Sequence, residues 1–176
     1  MQPPECLACS SSRVSDEPAD ERTKEVLRQA FAAHYLPLLR LSTLLGGGSP
    51  NSEDIVQDVF VRSAARLPGL NDEEIGPYLR TGVVNAWRNE RRRLSSDRRK
   101  VGTAATLPSA PPDPFRDDDL WSAVIGLPVR QRACLVLRYY EDLSEADIAA
   151  LLGCSVGTVK SQTSRALTKL RKAVAA

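Results

Sequence analysis

The sequence predicts an all-α protein built as two small helical modules joined by a flexible linker. Three observations lead there. No alternating Val/Ile/Thr run bounded by turn residues signals a strand. Apolar residues recur at three- and four-residue spacing through almost every other segment. Between two such regions, residues 101–119 (VGTAATLPSAPPDPFRDDD) are rich in Ala, Pro and Asp and have no period, the composition of a linker.

The elements follow in order. Residues 1–21 are Pro- and Ser-rich and read as a disordered tail. The first helix is expected over residues 22–45, with Val26, Leu27, Ala30, Phe31, Leu38, Leu41, Leu44 and Leu45 apolar. Pro37 is expected to kink or split it, and GGGSPNS to end it. A second helix starts near Ser52 and ends before Pro68, with Ile55, Val56, Val59, Phe60 and Leu67 on its core face. A third begins around Pro77 and runs to about Ser95, with Leu79, Val83, Trp87 and Leu94 as its core stripe. Beyond the linker, residues 120–127 form one short helix, and Pro128 opens the next, which ends near Tyr140. Ser144 with Asp147 resembles a capping box for a helix ending at Gly153.

Charge narrows the function. The net charge is only +2, but it is unevenly spread. Arg80, Arg88, Arg91, Arg92, Arg93, Arg98, Arg99 and Lys100 crowd one stretch against only Glu90 and Asp97. A near-neutral total thus hides a basic patch, and a second lies at the C-terminus. There, Gly153 is placed to end one helix in the left-handed region and Ser155 to cap the next. Val159, Thr163, Ala166, Leu167, Leu170 and Val174 share one side of that last helix, and no acid occurs after Ser155. Ile148, Leu151 and Leu152 are expected to pack on Val159, Ala166 and Leu167, aiming the helix start outward. This is the helix-turn-helix layout. Lys160, Ser161, Ser164 and Arg165 would enter a major groove, and Thr158 and Lys169 would hold phosphates.

The run LPVRQRACLVLRYYEDLSEADIAALLGCSVGTVKSQTSRALTKLRK resembles region 4 of an extracytoplasmic-function sigma factor, the module that reads the −35 promoter element in that family. The N-terminal half carries a matching resemblance. In SEDIVQDVFVRSAARL, Asp54, Gln57 and Asp58 fall together opposite the core face, which by itself is equally a solvated face. The segment resembles sigma region 2.2, and the resemblance implies that these three residues contact the β′ clamp helices of RNA polymerase. YLRTGVVNAWRNERRRLSSDRR is similar to region 2.4, which implies that Asn85, with Arg88, Arg91 and Arg92, binds the −10 element. Arginines neutralise phosphates at any sequence, and Asn can hydrogen-bond a base exposed in a melted strand.

The implied organisation is a tail (1–21), sigma region 2 (22–100), a linker (101–119) and sigma region 4 (120–176). The implied function is promoter recognition by a specificity subunit that is not an enzyme. Its partners would be core RNA polymerase, through the β′ clamp helices and the β flap, promoter DNA, and an anti-sigma factor. The alternative is a stand-alone helix-turn-helix regulator, which predicts dimers on palindromic half-sites.

Other classes lack residues. There is one histidine, His34, no Gly-rich phosphate loop and no nucleophile–base motif, so no catalytic residue is assigned. No cofactor or metal is expected, because the lone CxxC of Cys6 and Cys9 supplies only two of four zinc ligands. Cys134 and Cys154 read as small apolar-face residues. No apolar run approaches a membrane span of about 20 residues, and the first 24 residues lack a signal-peptide core, which predicts a cytoplasmic protein.

Overall fold

The structure is a computed structural model that describes residues 17–49, 51–98 and 118–174. Residues 1–16 of the predicted tail, with Cys6 and Cys9, and nearly all of the predicted linker lie outside these residues; the last five residues of that tail, 17–21, are not irregular but form the first turn of a helix. The described chain is all helical: α1 (Glu17–Gly46), α2 (Ser52–Ser63), a short 3-10 turn (Leu67–Gly69), α3 (Asp72–Arg98), α4 (Asp118–Ile125), α5 (Val129–Tyr139), α6 (Glu145–Leu152) and α7 (Val156–Val174).

Pro37 neither splits nor ends α1. The helix continues through it, because Leu38, Leu41 and Leu45 beyond it are all buried while Pro37 itself faces solvent. Burying each such leucine contributes about 1.5–3 kcal/mol, which offsets one lost backbone bond. Gly47 and Gly48, both at positive φ, stop the helix, with the Gly48 amide donating to the Thr43 carbonyl at 3.1 Å. Helix α3 starts five residues before Pro77, not at it. Asn71 is the reason: its Oδ1 accepts from the Glu74 amide while Glu74 Oε2 accepts from the Asn71 amide, both at 3.0 Å.

Helices α1, α2 and α3 pack around Leu41, Leu45, Val56, Phe60, Leu67, Leu79, Val83 and Trp87. Two expected core residues lie at its margin. Leu94 is 46% exposed near the end of α3, and Phe31 is 43% exposed but stacks on Tyr35 at 4.5 Å. The C-terminal helices do not hang free of this core. Cys134, Val136, Leu137, Ile148 and Val159 belong to the same apolar cluster, and α5 packs on α1 and α6 on α3. A second, smaller cluster joins Leu127, Leu135 and Ala166, with Leu167 and Leu170 against it. Ala166 and Leu167 therefore pack on α4 and α5 rather than on α6, because α7 is long enough for its second half to pass beyond the short α6.

Polar contacts lock the two halves together. Arg132 of α5 is 5% exposed, and its guanidinium donates to the carbonyls of Ile125 (2.7 Å), Leu127 (3.2 Å) and Leu45 (3.1 Å). The last of these is an orphan carbonyl in the final turn of α1. Gly47 must stay small for this, since a Cβ there would meet Arg132 Nη2 at 2.6 Å. Arg80 of α3 forms an ion pair with Glu141, just after α5.

Candidate nucleic-acid interface

The C-terminal pair has the expected turn chemistry. Ser144 caps α6: its Oγ accepts from the Asp147 amide at 3.1 Å and donates to Asp147 Oδ2 at 2.5 Å. Gly153 ends the helix at φ +65, in the left-handed region that glycine tolerates. Ser155 Oγ then accepts from the Thr158 amide at 3.1 Å and satisfies the first turn of α7. Ile148 and Val159 are fully buried where α6 and α7 meet, so the opposite side of α7 turns outward.

That outward side carries Lys160, Ser161, Ser164, Arg165 and Lys169, all exposed, with Thr158 half-buried at its edge. Lys160 Nζ lies 3.6 Å from Glu145 Oε2, a surface pair that a nucleic acid can displace at little cost. Ser161 donates to the Thr158 carbonyl at 2.9 Å, whereas Arg165 and Lys169 extend from the middle turns. Phosphates and base edges need just such short hydroxyls and long cations on one convex face.

On α3, Asn85, Arg91 and Arg92 are exposed. Arg91 lies over the Trp87 ring at 5.4 Å, a cation–π contact that fixes its direction. Arg88 is placed differently. Its Nη1 donates to the Leu151 carbonyl at the end of α6, and its Nη2 would sit 2.8 Å from a Cβ added at Gly153. The N-terminal helix with the basic run thus touches the turn of the helix-turn-helix. The two expected DNA-reading segments are brought together, not apart.

The third predicted face is separate. Asp54 and Gln57 are exposed on α2 and Asp58 is half-buried beside them. Asp58 Oδ1 accepts from Arg62 Nε at 2.9 Å. Val61, 75% exposed, continues the same face, so an apolar side chain adjoins the acids.

The sequence reading missed that α5 joins the N-terminal half through Arg132. Neither Arg130 nor Arg132 was singled out there, yet Arg132 is a buried link between the halves and Arg130 faces α3 across a cavity. The one available signal was the setting of Arg132 between apolar Val129, Ala133, Val136 and Leu137. Burial, and then the nearby charge of Arg91, lower the Arg132 pKa from its ordinary value. Burial first, with a smaller effect of Cys154, pushes the Cys134 thiol up to about 11, in line with a small core side chain. Among the described residues no His/Cys/Asp/Glu group could hold a metal ion, and no helix is long and apolar enough to cross a membrane.

The family Sigma-70, region 4 matches residues 117–170. The chain is 34% identical over 147 residues to the RNA polymerase sigma-E factor of Streptomyces avermitilis, covering 77% of each chain. It is 32% identical over 152 residues to the ECF RNA polymerase sigma factor EcfG of Rhodopseudomonas palustris, covering 82% of each. The sigma factor RpoE of Bartonella quintana, solved in complex with the anti-sigma factor NepR, shares the fold. Its TM-score is 0.69 at 23% identity, over 84% of this chain and 95% of that one. The chain belongs to the extracytoplasmic-function sigma factors of the sigma-70 family.

Proposed function

We propose that this sigma factor divides its work among the faces described above. The exposed, acid-free polar face of α7 carries the reading. Thr158, Lys160, Ser161, Ser164, Arg165 and Lys169 bind the −35 element. Asn85, with Arg88, Arg91 and Arg92, binds the melted −10 element. Asp54, Gln57 and Asp58 bind the β′ clamp helices of core polymerase, with exposed Val61 adding apolar area. The helices α4 and α5 contact the β flap. The protein contributes recognition and no chemistry of its own, and works in the cytoplasm. An anti-sigma factor is a further partner of the class seen with the Bartonella relative. The domain limits are a tail (1–21), region 2 (22–100), a linker (101–119) and region 4 (120–176).

The compact arrangement adds a mechanical condition. The two promoter elements stand roughly 25 base pairs apart, about 85 Å along B-DNA. In the compact form α3 and α7 border one cavity, so both elements cannot be read at once. The 19 residues of the linker span at most about 65 Å when extended, and the modules supply the rest. Polymerase must therefore draw the halves apart and hold them at promoter spacing, where two weak contacts act jointly. The free protein should bind promoter DNA poorly.

Run-off transcription tests this directly. Purified bacterial core polymerase is supplied with a library of promoter fragments, with and without the protein. Transcripts that appear only with the protein, starting downstream of a shared pair of elements, support the reading. No transcripts and no co-elution with core, where a known sigma factor works, would refute it.

A further inference from the structure

We infer that the cavity between the two halves is a binding site for a compact polyphosphate anion, the di- or triphosphate group of a small molecule. The cavity has a volume of about 450 Å³, within the range of small-molecule sites of about 300–1,000 Å³. Arg88, Arg91 and Arg92 enter it from α3, Arg130 from α5, and Thr158 and Gln162 from α7. None of the residues lining it is acidic. Four guanidinium groups around one concave space repel each other, and a cleft focuses their field. Burial, and after it the charge of Arg91, lower the pKa of nearby Arg132.

The chemistry of the lining selects phosphate. A guanidinium is a planar fork that binds phosphate oxygens in pairs, and several such forks match an anion with several phosphates better than a single carboxylate. Arg91 is held over Trp87, and Arg88 is held on the Leu151 carbonyl, so two of the forks are already oriented. Arg130 has no hydrogen-bond or ion-pair partner among the described residues. It faces the α3 arginines from the other half of the molecule, so an anion here ties α5 to α3. Thr158 and Gln162, one turn apart on α7, add neutral polar groups at the rim. Such a ligand would stabilise the compact form and occupy three arginines proposed above for −10 DNA.

Sodium tripolyphosphate is the probe, titrated calorimetrically into the full chain at constant ionic strength. Neither polymerase nor promoter is present, so failure here leaves the promoter reading intact. The expected result is one site per chain. Arg130→Ala should weaken it about tenfold, the loss of one charge-assisted contact. Gln162→Glu, which puts a carboxylate into the cavity, should weaken it at least as much. Lys172→Ala, an equal charge change at the exposed end of α7, should leave the affinity within about twofold. A nucleoside triphosphate binding more tightly than tripolyphosphate assigns the source to nucleotides, and equal affinity assigns it to polyphosphate alone. Both keep the site. Several weak sites, or equal weakening by Arg130→Ala and Lys172→Ala, would mean general charge attraction and overturn the inference.

Discussion

Replacing Arg132 by Met removes every donor of this buried side chain, including its bond across the halves to Leu45, while keeping most of its volume. Three carbonyls lose a charged partner, those of Ile125, Leu127 and Leu45, at 2.7, 3.2 and 3.1 Å. Hydrogen bonds to a charged group contribute about 1.5–3 kcal/mol each. Against that stands the cost of burying the guanidinium, several kcal/mol for an ion in a protein interior. The pKa of Arg132 is lowered and its Nε has no partner among the described residues, so this cost is incompletely compensated. The net loss should be about 2–4 kcal/mol, centred near 3, because Met leaves three carbonyls unpaired in a site too dry to rehydrate them fully. For a chain of this size that lowers Tm by roughly 6–12 °C. Thermal unfolding followed by circular dichroism at 222 nm reads the shift. Arg132→Lys should recover less than half of it, since one ammonium cannot span carbonyls that a guanidinium fork joins. Small-angle scattering of the Met variant should also show a larger radius than the native chain, as the Leu45 bond crosses between the halves. A Tm within about 2 °C of native would mean that desolvation cancels the bonds, and the link would be indifferent.

Four further outcomes are expected. Ser144→Ala removes the α6 cap and should cost about 1 kcal/mol, seen as a Tm lower by roughly 2–4 °C. Arg165→Ala should cost about 1–3 kcal/mol in discrimination between native and mutated −35 elements in run-off assays, and equal loss on both would make it a phosphate contact. Asn85→Ala should impair selection of the −10 element while co-elution with core polymerase is unchanged; loss of folding would make Asn85 structural. Glu141 gives a pH test. Burial raises its pKa more than the charge and hydrogen bond of Arg80 lower it. The folded protein therefore holds this proton at pH values where the unfolded chain has released it. Stability from Glu141 falls as pH rises from the ordinary carboxylate range through the raised value, and the penalty is complete above it. The Tm of Glu141→Gln relative to native should thus be more favourable at pH 7.5 than at pH 4.5, and an equal difference at both would contradict the assignment.

Local devices were readable because neighbours in sequence build them. The Ser144 cap, the Gly153 stop and the Ser155 cap depend on residues at most five positions apart, and each forms as its residue types require. Helical period alone placed Leu41, Val56, Leu79, Val83 and Val159 inside. The course of α1 through Pro37 was not readable, because burial of Ala30 before the proline and of Leu38, Leu41 and Leu45 beyond it decides it, and that burial is supplied by distant helices. Leu94 misled for the related reason that period says which face a residue shares, not whether a neighbour reaches that far along the helix.

By itself, the sequence determined an all-α chain, the helix-turn-helix, its outward polar face and the family, since periodicity, capping and motif spacing are local properties. Only the tertiary structure decided how the halves meet. Arg132 inserts into the end of α1, Arg88 caps the end of α6, and arginines from α3 and α5 face one another across a cavity. Those contacts join residues 63 and 87 positions apart. No local pattern encodes them, because a guanidinium finds an orphan carbonyl through the shape of the packed surfaces that present it.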